Sequence, residues 1–252
     1  MEADCRVYIK QGEELKREQQ IGFMAILWQG ILNLMGHSDK PTVLTGEAMD
    51  QQLCIELATS TDNPVLLGWV QAFQSVLNVF FGDHRTGAEV AMSKGKNLAR
   101  VVHSHLLAAT DPFYRGISLF DMARKTKKIL YRIRAHKVAR TIKGWVRKGN
   151  PNVKHLDVFL DAEASALAGN TEKTRKFYEK SVVVAARGGF VQHAALANER
   201  YGEYLLHEMK LQEDAAYRFD EAIKFYSEWG SCKAEMLREK YADLPRFATT
   251  RQ

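Results

Sequence analysis

The sequence predicts an all-α chain, an α-solenoid of stacked helix hairpins. Three observations carry that expectation. Apolar residues recur at steps of three and four almost throughout. No stretch alternates strictly between apolar and polar residues within hairpin turns. A small–large–small pattern returns at commensurate spacing, as stacked helices require.

The helical rhythm is plain in three places. Ile21, Met24, Ala25, Trp28, Ile31, Leu32 and Met35 fall on one helix face. Leu66, Trp69, Val70, Phe73, Val76, Leu77 and Phe80 do the same, and so do Tyr201, Leu205, Phe219, Ala222, Ile223 and Tyr226. Side chains three and four apart lie above one another on a helix, so each set is a core-facing stripe.

Prolines punctuate these helices. Asn63-Pro64, Asp111-Pro112 and Asn150-Pro151 each place a capping residue before a proline at a first helical position. Pro41 and Pro245 mark further boundaries. The gaps are short and no linker divides the chain, so about ten helices are expected in one continuous array over residues 1–252.

The repeat appears as Ala88, Met92, Gly95, then Thr174, Tyr178, Ser181, then Ala215, Phe219, Ala222. The last two copies are 41 residues apart, and the first two are 86 apart, or two steps of 43. Small residues are needed where helices cross closely, and a large one fills the hole behind them. Each copy follows a turn: Gly82-Asp83, Gly169-Asn170 or Met209-Lys210. The copy due near residue 131 is missing, and a basic element takes its place.

Composition excludes several classes. With 46% hydrophobic and 26% charged residues the chain is too apolar for disorder and too polar for a membrane protein. Its longest apolar stretch, 21–35, is broken by Gln29 and Asn33 and is shorter than the ~20 residues a spanning helix needs. No membrane insertion is therefore expected. The first ten residues include Glu2, Asp4 and Arg6 and do not read as a signal peptide. Cys5, Cys54 and Cys232 are widely spaced, never form a CxxC pair, and no Asn-x-Ser/Thr acceptor occurs. A reducing, cytoplasmic setting is the expectation.

Catalytic motifs fail on inspection. The run from Gly82 to Gly87 has phosphate-loop glycine spacing, but Ala88-Glu89 follows where Lys-Ser/Thr is needed, so it reads as a helix–helix turn. His207-Glu208 opens like a zinc-protease motif, yet position 211 is Leu. His103 and His105, two apart, point to different helix faces. Glu163 lies in the apolar stripe of Leu156, Phe159, Leu160 and Leu167, where a carboxylate serves to cap or bridge a repeat interface. No enzyme, cofactor or metal ion is expected.

The net charge of +6 conceals an asymmetry. Residues 122–156 hold twelve Lys and Arg and no Asp or Glu; the remaining 24 basic residues face 30 acidic ones. Leu130, Ile133, Val138, Ile142 and Trp145 still follow a helical stripe, so this element is expected to pack. Arg124, Lys127, Lys128, Arg132, Arg134, Lys137, Arg140, Lys143, Arg147 and Lys148 form the candidate binding surface. An acidic protein is the expected partner. Nucleic acid or a phosphate-bearing ligand is the alternative through residues 124–148, with few aromatics for base stacking beyond Tyr131 and Trp145. The rival to any external role is pairing with neighbouring acidic helices, as at Glu13-Glu14 or Asp214.

The run Val158-Phe159-Leu160-Asp161-Ala162-Glu163, then Ala168-Gly169-Asn170, resembles the "LxxAE…GN" start of a known helical repeat. The stretch from Gly188 to Arg200 resembles its "GF-x-HEAALANE" segment. Ala222-Ile223, Tyr226, Trp229-Gly230-Ser231, Lys233, Leu237 and Tyr241 resemble its closing pattern. This is the tetratricopeptide-like region that follows the AAA-type ATPase module in multisensor hybrid histidine kinases and serine/threonine kinase–ATPase fusion proteins. The resemblance covers 155–245 and is looser upstream. It implies a scaffold or regulatory arm in signal transduction, or a regulatory fragment of such a signalling protein. The kinase, phosphate-loop, sensor and phosphoacceptor parts are not in this sequence, so it implies no kinase or ATPase activity. Independently, Ala194, Ala195 and Ala197 should allow close helix approach, Trp229 should fill a hole, and Gly230 should end its helix.

Overall fold

The computed structural model describes residues 2–93 and 106–244. Among them are twelve α-helices, one 3-10 turn and no strand. The all-α class with helices packed on their neighbours is as the periodicity predicts, with twelve helices against about ten. Gly95, His103, His105 and Pro245 lie outside the described residues. Contacts gather into two compact units, Met1–Ala135 and His136–Gln252.

The first unit holds α1 (Glu2–Glu14), α2 (Glu18–Met35), α3 (Gln51–Ser60), α4 (Pro64–Phe80), α5 (His84–Met92) and α6 (Leu106–Thr126). Helix α4 is its axis, with α2, α3, α5 and α6 all packed against it. The reason is its apolar face. Val70, Phe73 and Leu77 join Ile26, Leu44 and Ala58 in one buried cluster. Gly30 on α2 lets the Phe73 ring lie so close that a Cβ there would sit 2.6 Å from it.

The two polar residues that interrupt the apolar run of α2 anchor the loop that follows it. Gln29 and Asn33 are buried. Gln29 donates from Nε2 to Asn33 Oδ1 at 2.8 Å and accepts from the Ala48 N–H at 2.9 Å. Asn33 Nδ2 donates to the carbonyls of Pro41 and Val43. Buried amides are tolerated when partnered, and these pin the 37–50 loop so that Leu44 enters the core.

Helix starts follow the capping chemistry. Asp50, Asn63 and Asp83 accept from the N–H of Leu53, Leu66 and Thr86, and Pro64 takes the first helical position. Gly82, at φ +77°, makes the α4–α5 turn, so the glycine run from 82 to 87 is a helix–helix junction. One boundary differs from expectation. Pro112 lies inside α6, not at its first turn, and Asp111 does not cap. Its carboxylate is buried and accepts from Arg115 Nε at 2.7 Å, an ion pair one turn along the same helix, and α6 runs on through Pro112.

Helix α7 (Ile129–Arg147) carries the chain across the boundary between the units. The second unit continues with α8 (Lys154–Leu167), α9 (Thr171–Arg187), α10 (Val191–His207), α11 (Gln212–Trp229) and α12 (Lys233–Lys240), each packed on its chain neighbour. Both complete repeat copies are buried: Thr174, Tyr178 and Ser181 on α9, and Ala215, Phe219 and Ala222 on α11. Ala88 of the first copy is buried too. The small-against-large logic is visible at Gly202, where a Cβ would meet the Phe219 ring at 2.7 Å. Ala194, Ala195 and Ala197 are buried, as close approach requires. Gly230 ends α11 in the left-handed conformation, φ +79°. Trp229 does not fill a core hole: it is half-buried, while Tyr226 is fully buried and Phe219 stacks on Tyr241 at 3.7 Å.

Candidate interaction surface

The basic element is built from the end of α6 and the whole of α7. Between the two helices Lys127 adopts φ +57°, a conformation that costs a non-glycine residue about 1 kcal/mol and makes the break sharp. Helix α7 then runs for nineteen residues without an acidic side chain.

The candidate cations divide into two groups. Arg124 lies 3.8 Å from Asp121 on its own helix, and Lys143 holds both oxygens of Asp161 on α8 at 2.9 and 3.0 Å. These two serve the fold. Lys127, Lys128, Arg132, Arg134, Lys137, Arg140, Arg147 and Lys148 are exposed, and none makes an ion pair with a described residue. The expected pairing with Glu13-Glu14 is not among the ion pairs of the described residues; Asp214 approaches Arg175 instead, at 3.9 Å.

The apolar stripe of α7 departs from expectation. Ala135 and Ile142, seven residues apart, are its buried line, and Val138 and Trp145 are half-buried. Leu130 and Ile133 were expected to pack, but they are 51% and 53% exposed, and Ile129 is 61% exposed. Periodicity assigned them to a face, and that face is uncovered.

Elsewhere the buried polar groups hold helices together. Glu163, as its position in an apolar stripe suggested, bridges: it accepts from Tyr178 Oη at 2.9 Å and from Arg200 Nε at 3.0 Å. One hairpin further on, Glu199 takes Lys233 Nζ at 2.7 Å and the hydroxyl of Tyr226. Sequence reasoning missed the buried contact between His155 Nε2 and His193 Nδ1, 2.9 Å long, with Phe190 stacked on His155. Burial lowers the pKa of His155 to about 4 and that of His193 well below its ordinary value. Both imidazoles are neutral at pH 7, one donating to the other.

A cavity of about 410 Å³ opens in the first unit beside α1, α2 and α4, lined by Tyr8, Leu15, Arg17, Phe23, Met24 and Trp69 among others. All three cysteines are free, and burial raises the pKa of each thiol. No described helix is long and apolar enough to cross a membrane. No protein-family model, curated protein or solved structure matches this chain.

Proposed function

We propose that this chain is a non-catalytic helical-repeat scaffold that docks an acidic protein through α7 and acts as a regulatory arm in signal transduction. One observation carries the docking role: eight of the ten candidate cations are exposed and make no ion pair within 4 Å with a described residue, and of these Arg147 alone acts on a carboxylate, that of Asp157, from a distance. A helix needing charge for solubility alone would carry both signs. Concentrated positive charge instead steers a negative partner into place and disfavours wrong ones. The signalling context and the cytoplasmic setting rest on the resemblance of 155–245 and on the cysteine pattern. That resemblance also supports the reading as a regulatory fragment of a larger kinase–ATPase protein.

The test is capture with wild-type chain and with Arg132→Glu/Lys137→Glu/Arg140→Glu at low and high salt. The captured protein is then purified and titrated back. The reading expects an acidic protein, lost from the variant and weakened by salt, because exposed charges are screened over about 10 Å at 0.1 M. Retention of that protein by the variant would contradict it. Preferential capture of nucleic acid, with a steep salt dependence, would replace it with the phosphate-polymer reading.

A further inference from the structure

Resting on the docking role of α7, the structure also indicates what the partner presents there. At about 3.6 residues per turn, Ile129, Leu130 and Ile133 gather on the side of α7 opposite buried Ala135, while Arg132 and Arg134 fall on the two edges of that side. Lys127 and Lys128 close its N-terminal end. All of these residues belong to the first unit. The result is a one-turn aliphatic strip framed by guanidinium and ammonium groups.

We infer that this strip seats an acidic amphipathic helix of a partner protein, whose apolar side chains cover Ile129, Leu130 and Ile133 while its carboxylates meet the flanking cations. Charge alone would draw any polyanion, but it would leave three branched aliphatics in water. A helix with apolar residues at steps of three and four and acidic residues beside them satisfies both features, and helix-on-apolar-strip docking is a recurring mode. Nucleic acid covers aliphatics only at thymine methyls or by unstacking base steps, and its stacking platforms are aromatic, not aliphatic. An interfacial membrane helix keeps one apolar face along its length. Here the same line continues into Lys137 and Arg140 after a single turn. Within the pair, charge sets the encounter rate and the buried strip sets the residence time.

The experiment is fluorescence anisotropy with the full chain and two labelled peptides of identical Glu, Ala and Leu content. One places its leucines on a single helix face; the other is scrambled so that they share no face. An oligonucleotide and vesicles of anionic phospholipid serve as further probes. The amphipathic peptide is expected to bind roughly tenfold more tightly than the scrambled one. Ile129→Ser/Leu130→Ser/Ile133→Ser should abolish that preference, keep the scrambled-peptide affinity and leave the thermal midpoint unchanged. Equal binding of both peptides, untouched by the serine variant, would overturn the strip while leaving the basic-helix role standing. A lowered midpoint of the serine variant would overturn it as well, since it would show these side chains to be packed. Absence of salt-sensitive binding to either peptide would remove the strip and the docking role together. Tighter binding to the vesicles or the oligonucleotide than to the amphipathic peptide would reassign the partner.

Discussion

Arg200 on α10 grips Glu163 on α8, with Nε 3.0 Å from Oε1 and Nη2 3.3 Å from Oε2, both side chains buried. Lys233 on α12 holds Glu199 on α10 in the same sense, first helix to first helix of successive hairpins. The sequence separations are 37 and 34 residues, somewhat short of the 41-residue step between the repeat copies. Each carboxylate also accepts a tyrosine hydroxyl, from Tyr178 or Tyr226, so neither buried charge is left bare.

Breaking one partner of such a pair strands the other in a medium that cannot solvate it. Arg200→Met should therefore cost about 3–5 kcal/mol in urea denaturation. Glu163→Leu/Arg200→Met should cost clearly less than the two single losses together, because no charge is then stranded. Additive losses would show that the two side chains are not coupled.

Gly202→Ala tests the crossing of α10 and α11. The added Cβ would lie 2.7 Å from the Phe219 ring. Overpacking of this kind costs about 1–3 kcal/mol. Phe219→Leu in the Gly202→Ala background should cost less than Phe219→Leu alone, because the smaller side chain relieves the contact. Thermal denaturation of the four proteins measures this.

The His155–His193 contact gives a pH dependence. Burial holds His155 at about pH 4 when folded, below its ordinary value of 6.5. Between those values the unfolded chain binds protons that the folded chain refuses, so stability falls as pH drops from 6.5 toward 4. His193, lowered further by burial and by His155, adds to the same slope. His155→Phe/His193→Leu should be less pH-sensitive over this range than the wild type. Identical slopes in the two proteins would contradict the assignment.

Ser118 on α6 is buried, its Oγ makes no hydrogen bond with the described residues, and it crowds Gly87, whose added Cβ would meet that oxygen at 2.4 Å. Removing an unpartnered buried hydroxyl sheds a desolvation penalty. Ser118→Ala should leave the thermal midpoint unchanged or raise it, and a clear fall would reveal a partner for the hydroxyl.

Local chemistry made much of the fold legible. The stripe from Leu66 to Phe80, the Asn63-Pro64 start and the spacing of Tyr178 and Phe219 each announce a buried face or a helix end through neighbouring residues alone. What escaped is non-local. Gln29 and Asn33 look like defects in an apolar run until the 37–50 loop supplies their partners. His155 and His193 are 38 residues apart, and nothing in either segment marks the contact. Pro112 is the local exception: it announces a helix start, yet α6 runs through it with Asp111 paired to Arg115 one turn on. In α7 the charge was legible, but its division was not: only the fold shows that Lys143 is tied to Asp161 while Lys137 and Arg140 face outward. Periodicity placed Leu130 and Ile133 on a face without saying whether anything covers it.

The central claim is that the cations of α7 are outward-facing and held for a partner. Equilibrium urea denaturation of Arg132→Glu/Lys137→Glu/Arg140→Glu tests it most directly, with Lys143→Glu as the internal contrast. The account predicts that the triple reversal stays within about 1 kcal/mol of wild type, as unpaired exposed charges do. It predicts a larger loss for the single Lys143→Glu, which places a carboxylate against Asp161. A loss of several kcal/mol in the triple variant would show that these charges hold the fold together, and the docking role of α7 would fall with that result.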